Sequence, residues 1–172
     1  MKHMGLDISS STIGIAIVEN GKLIFHSHYK PIKSKVKKVE KSLAERLLKT
    51  YDDMKNMIKK HNPDTICIED YAKKFSPGRS SAQTIIVLSC FNEVVSMACV
   101  DAVKIVPKKY SVASIRKTIG LKGKVDKKDV LTKVLEKYPN FEVKLNRNKN
   151  TKTETYDEAD ALAVLIHHLT EV

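Results

Sequence analysis

The sequence has no tryptophan and only 6% aromatic residues, so a platform for stacking bases is not its obvious route to a nucleic acid. It has three cysteines, Cys67, Cys90 and Cys99, and no C-x-x-C pair. That excludes the common zinc and dithiol motifs, and an odd count in apolar surroundings reads as buried free thiols in a reducing compartment. No apolar run approaches the roughly 20 residues that a bilayer demands, which excludes a transmembrane protein on this reading. The start, Met1-Lys2-His3-Met4-Gly5-Leu6-Asp7, lacks the apolar stretch of about 7–15 residues that marks a secretory signal. The expectation is a soluble, intracellular chain. There is no internal repeat or low-complexity segment, and 172 residues suit one domain, 1–172.

What is present in excess is positive charge: 31 Lys and Arg face 20 Asp and Glu, a formal net charge of +11. Such a chain is drawn to polyanions, because each phosphate it neutralises releases counterions. Charge alone also fits a generally basic surface with no such role.

Residues 5–8 and the run Ile13-Gly14-Ile15-Ala16-Ile17-Val18 read as strands, and Asn20-Gly21 suits a tight hairpin turn. Leu23-Ile24-Phe25 resumes the sheet, giving three consecutive antiparallel strands. Residues 31–41 are lysine-rich and read as a solvated loop. Leu43, Leu47, Tyr51, Met54 and Ile58 recur at helical spacing over 42–61, and Asn62-Pro63 stops that helix. Residues 65–69 read as a buried parallel strand, 73–81 as a basic loop of turn formers, and 82–100 as a second helix. A strand over 103–106 follows, then short helices over 107–118 and 127–138. Residues 145–155 read as a mobile basic loop and 157–169 as a final helix. The alternation predicts an α/β domain around a mixed sheet.

Four carboxylates carry the chemistry. Asp7 interrupts the first strand beside Ser9, Ser10, Ser11 and Thr12, small residues that leave room for a metal or a phosphate. A strand-end aspartate bonded to the serine backbone is the alternative. Glu69 closes the strand Ile66-Cys67-Ile68, at the edge where open α/β sheets collect ligands, although a solvent-facing charge would also fit. Asp157 and Asp160 stand three apart in an apolar helix, so both face one side. A helix cap accounts for Asp157 and not for Asp160. Four converging acids repel one another unless cations neutralise them, and hard divalent ions, magnesium or manganese, take such oxygen ligands. His167 and His168 read as an unassigned pair near the helix end.

With those residues placed, the chain resembles the RuvC family of Holliday-junction resolvases, within the RNase H-like fold. Gly5-Leu6-Asp7-Ile8-Ser9 with Gly14 resembles the family's first-strand motif, and Ile68-Glu69 its fourth-strand glutamate. Asp157-Glu158-Ala159-Asp160-Ala161-Leu162-Ala163 is similar to its C-terminal D-x-A-D-A-L-A signature. The segment from Ser114-Ile115-Arg116-Lys117 to Gly123-Lys124-Val125-Asp126-Lys127-Lys128 resembles its basic region.

The resemblance spans nearly the whole chain. It implies a five-stranded mixed sheet, three antiparallel strands then parallel ones, flanked by helices. It implies two Mg²⁺ or Mn²⁺ ions on Asp7, Glu69, Asp157 and Asp160, hydrolysis to a 5′-phosphate and a 3′-hydroxyl, and paired symmetric nicks in branched DNA. Lys117 or Lys127 would stabilise the transition state, with Lys124 as the nearby alternative and Arg116 on the DNA. The resemblance also implies a homodimer, for which helix 82–100 is a candidate face, though a core helix fits its pattern equally. The loop bearing Lys73, Lys74, Phe75 and Arg79 would approach the junction, with Phe75 as a wedge.

Two segments depart from the pattern, the very basic 30–41 and the polar 145–155. A nuclease of the same fold acting on flaps, RNA–DNA hybrids or structured RNA would use the same acids. A non-catalytic nucleic-acid module would not need them. A phosphotransferase of the ATPase type would need a second lobe and a second Gly-rich loop that the sequence does not offer.

Overall fold

The computed structural model describes residues 1–36, 39–70 and 81–172. Along the chain run β1 (Lys2–Ile8), β2 (Ile13–Glu19), β3 (Lys22–Tyr29), β4 (Lys35–Val36), β5 (Val39–Glu40), α1 (Leu43–His61), β6 (Thr65–Glu69), α2 (Ala82–Val103), β7 (Lys108–Tyr110), α3 (Val112–Thr118), α4 (Lys127–Lys137) and α5 (Thr153–Glu171). The main sheet has the order β3-β2-β1-β6-β7; β1, β2 and β3 pair antiparallel, while β6 pairs parallel with β1 and β7 parallel with β6. This is the five-stranded mixed sheet the sequence implied. β4 and β5 form a separate small ribbon in the segment read as loop.

Successive side chains of a strand point to opposite faces, and this period decides the layers. Met4, Leu6 and Ile8 of β1, Ile13, Ile15 and Ile17 of β2, and Ile66 and Ile68 of β6 share one core with Met54 and Ile58 of α1 and Phe91, Val95 and Cys99 of α2. The other face carries Ala16 and Cys67 into a second core with Ile115, Val134, Leu162 and Leu165, under α3, α4 and α5. His3, Gly5 and Asp7, like Thr65 and Glu69, therefore lie on the α5 side.

Two glycines let α5 sit unusually close to the sheet. A Cβ on Gly5 would stand 2.7 Å from Leu165 Cγ and collide with the Ala161 carbonyl, and one on Gly14 would collide with the Asp157 carbonyl. Position 14 thus needs glycine for space and not for backbone angle.

Several boundaries differ from expectation. Residues 103–106 are not a strand: α2 continues to Val103 and ends at Lys104, whose left-handed φ of 62° caps it. The strand is instead Lys108–Tyr110, an edge strand whose polar residues need no apolar run. α5 begins at Thr153, so Asp157 and Asp160 lie one and two turns inside it rather than at its start. Residues 145–151 close into a hairpin bridged at Leu145 and Thr151, not a loop without structure. α2 is long and apolar enough by composition to cross a bilayer, which corrects the expectation drawn from apolar length. Here it packs on α1 and the sheet and leaves Ile86, Met97 and Val100 exposed.

Candidate active site

Asp7 and Glu69 reach one point because β1 and β6 run parallel in register, Leu6 opposite Ile68, with each acid one residue further on and on the α5 face. α5 then lays Asp157 and Asp160 over that point from above. The carboxylates of Asp7, Asp157 and Asp160 offer ligand atoms all within 4.8 Å of one another. Glu69 and Asp160 line the same cavity as Asp7, of about 510 Å³. Its other walls are Val112, Ile115 and Arg116 of α3 and Val125, Asp126 and Lys127 at the entry to α4.

The acids sit in a place that opposes their ionisation. Burial, then the charges of Asp160, Glu69 and Asp157, hold the Asp7 carboxyl well above the usual carboxylate range. Burial, then Asp160, raises Glu69 to about 7, against the pull of Arg116 and Lys127. Asp160 rises to about 6, again chiefly by burial. Such a cluster stores repulsion that a cation relieves.

One cation is already there: Lys127 Nζ lies 2.6 Å from Asp157 Oδ1 and 3.7 Å from Asp160 Oδ2. Burial lowers the Lys127 pKa, but the bond to Asp157 and the charges of the three aspartates outweigh it and raise it overall. The capping box of Asp126 and Asp129 fixes the N-terminus of α4 and so the root of Lys127.

Of the other sequence-derived candidates, Arg116 lines the cavity. Lys117 and Lys124 are exposed and do not line it. Lys73, Lys74, Phe75 and Arg79 lie outside the described residues.

Sequence reasoning missed a second constellation beside the acids. Glu158 is 0% exposed and points away from Asp157 toward β3. Its carboxylate accepts from His26 Nδ1 at 2.6 Å, His28 Nδ1 at 2.7 Å and Lys144 Nζ at 2.7 and 2.9 Å. Burial opposes its charge, yet bonds from His26, Lys144 and His28 prevail and lower it to about 2. His26 Nε2 accepts the Glu142 N–H at 3.2 Å, so Nδ1 bears the hydrogen given to Glu158. His167 and His168 are also buried: Thr118 Oγ1 meets His167, while Thr65 Oγ1 and Tyr110 Oη meet the two nitrogens of His168.

A mixed sheet with acids gathered where β1, β6 and α5 converge is a site suited to divalent cations. The comparisons with known proteins narrow this. The family described as "Crossover junction endodeoxyribonuclease RuvC" matches residues 3–168. Two proteins of that name from Prochlorococcus marinus, strains MIT 9301 and MIT 9312, are each 31% identical over 173 residues, covering 99% of this chain and 98% of theirs. The chain belongs to the RuvC family of crossover junction endodeoxyribonucleases. Among solved structures, RuvC of T. thermophilus in complex with Holliday junction substrate superposes with a TM-score of 0.70 at 15% identity, over 98% of this chain and 92% of that one. The yeast mitochondrial Holliday junction resolvase Ydc2 gives 0.61 at 10% identity, over 96% and 76%. At those identities the likeness is one of fold.

Proposed function

We propose that the chain nicks four-way and other branched DNA junctions, as a homodimer, with Asp7, Glu69, Asp157 and Asp160 holding two Mg²⁺ or Mn²⁺ ions. The observation that carries this reading is the convergence of Asp7, Asp157 and Asp160 within 4.8 Å, with Glu69 lining the same cavity, in a chain of net charge +11. The donors fit the ions: all are hard carboxylate oxygens, and no His or Cys joins the cluster among the described residues. When bound, such ions supply the positive charge that activates a water and steadies the departing oxygen of a phosphodiester.

The chain's own groups do the positioning. Lys127, bonded to Asp157, and Arg116 line the cavity with the acids and would bring charge to the phosphate as negative charge builds on it. Val112, Ile115, Ile119 and Val130 wall one side, which limits water and strengthens those charges. Among the described residues, the apolar exposed face of α2 suits a second copy, whose site would meet the opposing strand of a two-fold symmetric junction. A branched DNA substrate is in keeping with a soluble protein working inside a cell. Asp7→Asn tests the site: we expect cleavage to disappear while junction binding survives, and retained cleavage overturns the assignment.

A further inference from the structure

Residues 144–152 read Lys-Leu-Asn-Arg-Asn-Lys-Asn-Thr-Lys, four cations and no acid. A solvated surface loop of that composition needs no fixed shape, yet this one has one. Lys152 N donates to Lys144 O at 2.8 Å, and Asn146 N to Asn150 O at 2.8 Å. Asn146 Oδ1 accepts from the N–H groups of Asn148 and Asn150 at 2.9 and 3.0 Å, and Lys149 takes a left-handed φ of 59°. Arg147, Lys149 and Lys152 are exposed and form no ion pair among the described residues.

The base of the hairpin is tied to the helix that carries the active-site acids. Lys144 bonds the buried Glu158, next in sequence to Asp157, and its backbone exchanges hydrogen bonds with the buried Thr155 hydroxyl, both at 3.3 Å. Burying a carboxylate is costly unless it is fully bonded, so Glu158 with His26, His28 and Lys144 is an anchor with a definite geometry.

Its place relative to the sheet matters most. The anchor lies over β3, one edge of the sheet, while α3 with Arg116 follows β7, the other edge. Asp7 on β1 and Glu69 on β6 lie between. A polyanionic strand crossing the acids, where Lys127 sits, therefore meets Arg116 on one side and the hairpin on the other.

The geometry points to the 144–152 hairpin as a second phosphate-binding lip of the nuclease site, on which the DNA backbone rests as it leaves the acids toward the β3 edge. This rests on the nuclease reading. The lip contributes affinity and strand path, not bond cleavage.

Equilibrium binding of a fluorescent four-way junction to the full chain, in chelator and across a salt series, tests it. Arg147→Glu with Lys149→Glu weakens binding at least about tenfold and lowers the salt slope by roughly 1.8, near 0.9 per lost phosphate contact. Arg147→Gln with Lys149→Asn, neutral and suited to the left-handed angle, falls between this pair and the unaltered protein; if the charge-reversed pair melts early, this pair's slope decides. Lys59→Glu with Lys60→Glu makes the same change in charge at the end of α1, near the start of β1 and away from the acids. Its affinity stays within about threefold. Equal losses for both charge-reversed pairs, or no loss in the hairpin pair, overturn the lip while the nuclease reading stands. Failure of the unaltered protein to bind any branched DNA overturns both.

Discussion

The backbone of Gly14 on β2 lies against the Asp157 carbonyl of α5, so closely that a Cβ at residue 14 would stand 2.5 Å from the carbonyl carbon. The distance between sheet and helix, and with it the gap between Asp7 and Asp157, is thus set by a residue that carries no side chain. Gly14→Ala must push α5 outward. We expect a stability loss of about 1–3 kcal/mol and a fall in single-turnover cleavage greater than the fall in folded fraction. Denaturant melts beside single-turnover rates check this, and unchanged cleavage would show that the close approach is not needed.

Lys127 occupies the position of a counter-ion to Asp157 and Asp160. Lys127→Ala leaves the metal-free cluster without that charge, so its melting temperature without divalent ions falls and the gain on adding Mg²⁺ grows. Cleavage at saturating Mg²⁺ falls by about 10²-fold, since the lysine no longer meets the charge that develops on the phosphate. A thermal-shift titration alongside cleavage separates the two effects; equal gains in both proteins would remove Lys127 from the electrostatics of the cluster.

The acids themselves make a pH prediction. Burial holds Asp7 well above the usual carboxylate range and raises Glu69 to about 7 and Asp160 to about 6, so the folded metal-free state holds protons that the unfolded state releases. The stability tied to those protons is full below the ordinary carboxylate range and is lost as pH rises through about 6 to 7. The gain in melting temperature on adding Mg²⁺ should therefore be larger near pH 8 than near pH 5, and Asp160→Asn should flatten the difference. A gain independent of pH would contradict the cluster.

His168 titrates in the opposite sense. It is 0% exposed, and burial, with Lys108, His3 and His167, lowers it from 6.5 to about 4. Its neutral form is the folded one, so the stability it lends is present above 6.5 and is lost as pH falls toward 4. The whole span is worth about 3 kcal/mol. Denaturant melts of the protein and of His168→Gln should converge by roughly that amount on acidification; parallel curves would place the proton elsewhere.

Two simple periods gave the face on which each acid lies, while the strand-end and solvent-facing alternatives for Asp7 and Glu69 stayed open until the family resemblance joined the four. Period two in β1 and β6 puts Asp7 and Glu69 on the face opposite Leu6 and Ile68, and helical spacing puts Asp157 and Asp160 together. The Glu158 anchor was not legible, since His26 and His28 lie 132 and 130 residues away and no local pattern links them. The start of α5 was hidden for another reason. Thr153, Glu154, Thr155 and Tyr156 carry no apolar stripe, and their turn is held by Thr155 against Lys144. Val103 to Val106 reads as a strand because three of its four residues are β-branched and apolar, whereas the true edge strand is lysine-rich and defined by pairing with β6.

Cleavage of a synthetic mobile four-way junction, with Mg²⁺ or with chelator, tests junction resolution by the four acids. Flap, three-way, RNA–DNA hybrid and linear duplex substrates run beside it at one salt concentration. We predict paired, symmetric nicks in the junction that vanish in chelator and in Asp7→Asn. Equal or faster cutting of flaps or hybrids would keep the fold and the acid chemistry and contradict the junction as substrate.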